Sequence, residues 1–190
     1  MRSFLFASLC AGLLVVLPGC GSDQSGRSPA EAPKTSTEAR SGTSYEQDPT
    51  PAPAVTMTTL DGDTLRLREQ TGKVVLVNFW ATWCAPCRKE IPDLNRLYDD
   101  LKDDGLLIVG VSTDEDGKSV VEPFLERQEI RYPVVTDTAR AIESQFDAMY
   151  GLPTTYVINP DGQIVRRVLG LFPTEKMRPT LEAMLRKDEA

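Results

Sequence analysis

Histidine is absent from all 190 residues, and with it go the commonest transition-metal ligand and the commonest general base. Acid-base chemistry must then fall to carboxylates, thiols or water. Basic charge is also in the minority. Lys and Arg number 21 against 28 Asp and Glu, a formal balance of −7, which disfavours nucleic acid and anionic lipid surfaces as partners. A long membrane-spanning run is missing too, because the apolar stretch from Phe4 to Leu17 falls short of the roughly 20 residues that a bilayer-crossing helix needs. Cysteine is scarce, with four residues.

What stands at the start is a processing signal. Arg2 precedes the apolar run, which ends at Leu17-Pro18-Gly19-Cys20, the layout of a signal peptide over residues 1–19. The ending resembles the lipobox of bacterial lipoproteins, which implies cleavage before Cys20 and diacylglycerol on its sulfur; the plainer reading is an ordinary signal peptide with Cys20 left as a thiol. Lipidation would anchor the protein to a membrane outside the cytoplasm, on the periplasmic side or an extracellular face. From Gly21 to Pro53 the chain is rich in Ser, Thr, Pro, Ala and Glu with one aromatic, Tyr45. Such a composition buries too little apolar surface to fold, so residues 20–53 read as a lipidated cysteine and a disordered tether. Residues 54–190 are a usual size for one domain. With Cys10 lost and Cys20 blocked, only Cys84 and Cys87 remain, and a pair two residues apart closes too small a loop to staple a fold. Its value must be chemical.

Within the domain, Val55 to Leu67 predicts a hairpin around Asp61-Gly62. Val74 to Trp80 and Leu106 to Ser112 are nearly continuous apolar runs, the pattern of parallel strands covered on both faces. Between them a helix should open at the Cys-x-x-Cys and run to about Asp103, with Pro92 inside it. Further helices are expected over Val120 to Glu129, begun by a Ser119 to Glu122 capping box, over Thr138 to Phe146, and over Pro173 to Arg186. Tyr132 to Thr136 should be extended, and the Asn159-Pro160-Asp161-Gly162 turn should join strands Thr154 to Ile158 and Gln163 to Leu169. The order predicts an α/β domain, a mixed central sheet with helices on both faces and an N-terminal β-hairpin extension.

The chemistry lies in Phe79 to Pro92, FWATWCAPCRKEIP. A thiolate attacks a disulfide, so the nucleophile must be acidified and reachable. Cys84 at a helix start meets unpaired backbone N–H groups and the positive end of the dipole. Pro86 has no N–H to give, so the amide and thiol of Cys87 are the natural donors to the Cys84 sulfur. Cys87, a turn further in, should be the more buried and should resolve the mixed disulfide. Half a zinc site is the competing reading of the pair, and it fails because a structural site needs four ligands and no further Cys or His is available. No metal or cofactor is called for.

Trp-Cys-x-Pro-Cys after a buried strand resembles the thioredoxin active site. With Asn78 before it, Arg88 to Pro92 after it and Gly151-Leu152-Pro153-Thr154-Thr155 downstream, the domain resembles the membrane-tethered TlpA-like and ResA-like thioredoxins. That resemblance implies a thioredoxin-like fold and a thiol-disulfide oxidoreductase whose redox-active disulfide is Cys84–Cys87. It implies that Glu90, on the same helix face as Cys87, is partly buried and handles protons, against the bland reading of a solvated charge. Asn78 departs from ordinary thioredoxin, where an aspartate stands; it is either part of the proton arrangement or a structural amide. Pro153 should be cis, leaving the Leu152 backbone free to pair with an extended substrate, unless it is an ordinary trans proline. Trp83 is expected at the rim with Pro86, touching partners. The implied partners are client proteins with disulfides, such as apocytochrome c, and a membrane electron donor such as a thiol-disulfide interchange transporter. The protein is expected to be a monomer. An oxidase would run the same chemistry backwards. A thiol peroxidase would need a Pro/Thr-rich loop before its cysteine where Trp80 to Trp83 stand, and a thioredoxin-type copper chaperone would need the missing histidine.

Overall fold

The computed structural model describes residues 43–146 and 151–186, with side chains from residue 47 onward. The signal peptide, Cys20 and the tether up to residue 42 lie outside the described residues.

Seven consecutive buried side chains make β4 (Val74–Trp80) the centre of the sheet. Its alternation sends Val75, Val77 and Phe79 into one core and Val74 and Leu76 into another, the period of two that a pleated strand imposes. β5 (Leu106–Ser112) runs parallel beside it in the register Asn78↔Gly110, and β6 (Val134–Thr136) lies parallel beyond. On the other side β7 (Thr154–Ile158) pairs antiparallel with β4, and β8 (Gln163–Leu169) turns back along β7.

The strand that closes this side is a correction to the tether expectation. β1 (Thr43–Pro51) pairs antiparallel with β8, completing the six-strand order β1-β8-β7-β4-β5-β6. Composition argued against structure here because the segment has few apolar side chains. An edge strand, however, is held mainly by backbone hydrogen bonds to its neighbour and needs no apolar face of its own. Described structure therefore reaches at least eleven residues before Ala54, as far as Thr43.

Helical segments meet both faces, but unequally: the α-helices among the described residues share one face, and the other has the 3-10 turn Leu67–Glu69 through Leu67. α1 (Ala85–Leu101) and α3 (Thr174–Arg186) set Leu94, Leu97, Met177 and Leu181 against Leu76, Ile108 and Val157. α2 (Lys118–Leu125) joins the same side, where Val121 and Phe124 pack on Trp80 and Ile91. The opposite face is covered by the hairpin of β2 (Thr56–Thr58) and β3 (Thr64–Arg66), through Met57 and Leu65, and by Phe146, whose ring meets Phe79 edge-on at 5.2 Å. Gly110 is required where β5 passes under two rings, since a Cβ there would come within 3.0 Å of Tyr132 and 3.1 Å of the Trp80 indole nitrogen.

Two helices differ from expectation. α2 starts at Lys118 after Gly117 and ends at Leu125, and Ser119 donates to the Asp116 carbonyl rather than capping. The stretch from Thr138 forms only a 3-10 turn over Glu143–Gln145. Arg140 has φ 53°, which breaks an α-helix, and the Asp137 carboxyl takes the amides of Ile142 and Glu143 at 3.0 and 2.8 Å. A side chain that offers such local partners competes with the helical ladder.

Candidate active site

β4 ends at Trp80, and a three-residue turn, Ala81 to Trp83, leads into α1 with Cys84 as its N-cap. Cys84 and Cys87 are joined in a disulfide. The Cys84 sulfur accepts from the Cys87 amide at 3.2 Å, filling the place that a Ser or Asp oxygen usually takes at a helix start. Pro86 occupies the second helical position, where a missing N–H costs nothing, and it is exposed. The helix terminus thus concentrates favourable potential for a negative sulfur at Cys84.

Exposure corrects one expectation. Cys84 is only 4% exposed and Cys87 not at all, so the order is as expected but the nucleophile is not open. In the disulfide form its sulfur faces Cys87 and both sit in a cluster with Trp80, Ile91 and Phe124. Trp83, by contrast, is 68% exposed, the one large exposed hydrophobic side chain among the described residues. The Leu152–Pro153 peptide is cis, and Leu152, half-buried, packs on the same cluster as the two cysteines.

Three residues beyond Cys87 on α1, Glu90 forms a buried polar pair with Asn78 of β4. Glu90, 3% exposed, accepts from the Asn78 side-chain amide at 2.8 Å and from the Phe172 N–H at 2.9 Å. Asn78 spends its other amide hydrogen on Thr155, at 3.0 Å. Burial raises the Glu90 pKa to about 7, outweighing the two hydrogen bonds, which act the other way. The reading of Glu90 as a solvated charge beside Arg88 and Lys89 is thereby overturned. Asn78 is both structural and part of the site, because the amide that fixes β4 to β7 also orients the carboxyl. Tyr132, buried nearby, is held as the neutral phenol.

Sequence reasoning missed the group that holds the turn itself. Asp114, 4% exposed, receives the Thr82 N–H at 2.9 Å, the Thr82 hydroxyl at 2.7 Å and the Ser112 hydroxyl at 2.8 Å. From the other side, Arg88 donates to the Thr82 carbonyl at 2.8 Å. Every polar group of the residue before Trp83 is therefore fixed. An aspartate just past a strand end, 32 positions from its partner, carries no sequence signal of this contact. Asp114→Ala should lower stability by about 2–4 kcal/mol, since it strips buried donors of their acceptor, and Asp114→Asn should cost less; paired urea titrations measure both.

The arrangement can form, hold and break a disulfide at a helix tip beside a carboxyl able to exchange a proton near neutrality. Known proteins agree. The sequence matches the AhpC/TSA family over residues 49–167. It is 35% identical over 136 residues to the thiol-disulfide oxidoreductase ResA of Bacillus cereus, covering 72% of this chain and 75% of that one. With ResA of Bacillus subtilis it shares 39% over 126 residues, covering 66% and 69%. Among solved structures, a thiol:disulfide interchange protein of the thioredoxin family from Chlorobium tepidum superposes with a TM-score of 0.63 at 31% identity, over 74% of this chain and 99% of that one. StoA from Bacillus subtilis does so at 0.59 and 26% identity, over 68% and 98%. The chain belongs to the AhpC/TSA family and is a ResA-like thiol-disulfide oxidoreductase with a thioredoxin fold.

Proposed function

We propose that this oxidoreductase works as a reductase, tethered by a lipid on Cys20 to a membrane outside the cytoplasm. The observation that carries the exchange chemistry is the pairing of a helix-tip disulfide with a buried carboxyl whose pKa lies near 7; the direction and the tether are read from the sequence resemblance. In the reduced enzyme the Cys84 thiolate attacks a client disulfide, forming a mixed disulfide and releasing one client thiolate. Cys87 then attacks the Cys84 sulfur, restoring the internal disulfide and releasing the second client thiol. Two electrons pass to the client. Glu90, one helical turn from Cys87, takes the proton that Cys87 must lose and returns it when the disulfide is reduced again, a task suited to a carboxyl poised near the working pH. A dithiol donor in the membrane, such as a thiol-disulfide interchange transporter, resets the pair. Trp83, Pro86 and the backbone of Leu152 at the cis proline face the client. Apocytochrome c fits as one, because its Cys-x-x-Cys-His haem site must be reduced before haem attaches.

Direction is set by potential alone. Equilibrated against a dithiol buffer, the protein should show a midpoint close to the thioredoxin value of about −270 mV; a midpoint near the strongly oxidising value of about −120 mV would make it an oxidase. In cells that express it, Cys20→Ser should move the protein from the membrane to the soluble fraction.

A further inference from the structure

Next to the active-site turn a groove of about 540 Å³ lies between Trp83 and Arg88 on one side and α2 with the residues that follow it on the other. Trp83 and Arg88 form one wall; Val120, Phe124, Arg127 and Gln128 form the other. Its position follows from the chain, because Trp83 and Arg88 are the covalent neighbours of Cys84 and Cys87. Neither cysteine lines the groove, but whatever lies in it rests against the residues bonded to them.

Its charge is opposite to that of the protein. The whole chain carries −7, yet the groove is lined by two arginines and no acid; Glu122 and Glu126 of the same helical region are not among its walls. Arg88 gives one donor to the Thr82 carbonyl, and Gln128 donates to the Arg88 carbonyl at 2.8 Å, which bridges the two walls. Arg127 is exposed and pairs with no carboxylate among the described residues. Next to these cations stands the Trp83 ring, 68% exposed, a flat apolar surface against which an extended backbone can lie.

We propose that this groove is a specificity site for the client polypeptide, and that it selects segments carrying an acidic side chain close to the disulfide to be reduced, with Arg127 as the selecting residue. The inference rests on the reductase reading and names the kind of client it prefers. A charge at the rim of an interface acts mainly on association and partner choice. The long-range field of an acidic protein favours basic peptides, so a preference for acidic ones can come only from local contacts.

The test uses the reduced protein and three peptides of one sequence, each with an internal Cys-x-x-Cys disulfide flanked by two Asp, two Ser or two Lys. The Asp peptide should be reduced about two- to fivefold faster than the Ser peptide, the size expected of an exposed ion pair, and the Lys peptide should be slowest. Arg127→Glu should reverse the order of the Asp and Lys peptides, each rate being taken relative to that of the Ser peptide in the same variant, and 0.5 M salt should flatten it. An order that follows the global charge, or one that Arg127→Glu does not alter, overturns the groove while leaving the reductase intact. Failure to reduce even the Ser peptide overturns the reductase reading and this inference with it.

Discussion

Cys84→Ser is expected to abolish disulfide exchange, dropping the rate by at least about three orders of magnitude to the uncatalysed background, whereas Cys87→Ala should keep the first step and lose the second. The asymmetry follows from position. Cys84 caps α1, receives the Cys87 amide at 3.2 Å and retains the only solvent access of the pair. Cys87, fully buried beneath it, can reach an attacking client only through Cys84. The Cys87→Ala variant should therefore accumulate clients as mixed disulfides that survive alkylation and release on reduction, and mass spectrometry of the trapped species identifies them. Accumulation in a Cys84→Ala variant instead would reverse the two roles.

A second large effect concerns Glu90 and pH. Its pKa is about 7 in the folded protein against 4.5 for the free side chain, so the folded state binds the proton more tightly than the unfolded chain does. The favourable contribution is fully present below about pH 4.5 and is lost as pH rises through 7, an amount of about 3 kcal/mol. Glu90→Gln cannot titrate, so the stability of wild type minus that of the variant should fall by about this much between pH 4.5 and 8. The comparison must be a difference across pH, because Gln replaces one of two acceptor oxygens by a donor and leaves either Asn78 or the Phe172 amide facing an N–H group. That penalty does not vary with pH. Urea titrations of both proteins at four pH values give the curve, and a flat difference would mean that the buried carboxyl titrates as in water. Slowed exchange in Glu90→Gln, with the loss confined to pH values near 7, would separate a proton-handling role from a structural one.

The strands of the core could be read directly from the chain. Val74 to Trp80, Leu106 to Ser112, Thr154 to Ile158 and Gln163 to Leu169 have their expected limits: the first two because burial on both faces demands nearly unbroken apolar runs, the last two because the Asn159 to Gly162 turn joins them as a hairpin. Where local and long-range effects compete, the sequence was silent. β1 is held by a partner more than a hundred residues away, and no property of Thr43–Pro51 alone announces it. The 3-10 turn after Asp137 turns on one carboxyl and one residue at positive φ, against a helical composition. At the site, Cys84, Cys87 and Pro153 came from a motif and its resemblance. The meeting of Glu90 with Asn78 and with the Phe172 amide joins residues 12 and 82 positions apart, so the pKa that results from it could be anticipated only in direction. Asp114 lies beyond such reading, since its partner Thr82 is fixed by where β4 and β5 end.

The same β1 bears on how the molecule tolerates its work. Clients of the proposed kind arrive unfolded, with bare backbone ready to join any free strand, and a long open margin would invite them to stay. Among the described residues one margin is β6, only three residues long. The other is β1, whose register slips between Glu46 and Thr50 around Asp48 and Pro49 and which ends at Pro51. Neither offers a regular ladder. Under the proposed function, a substrate is thus held by its sulfur and a few side chains, and let go, without being templated into fibrils on the oxidoreductase that reduces it.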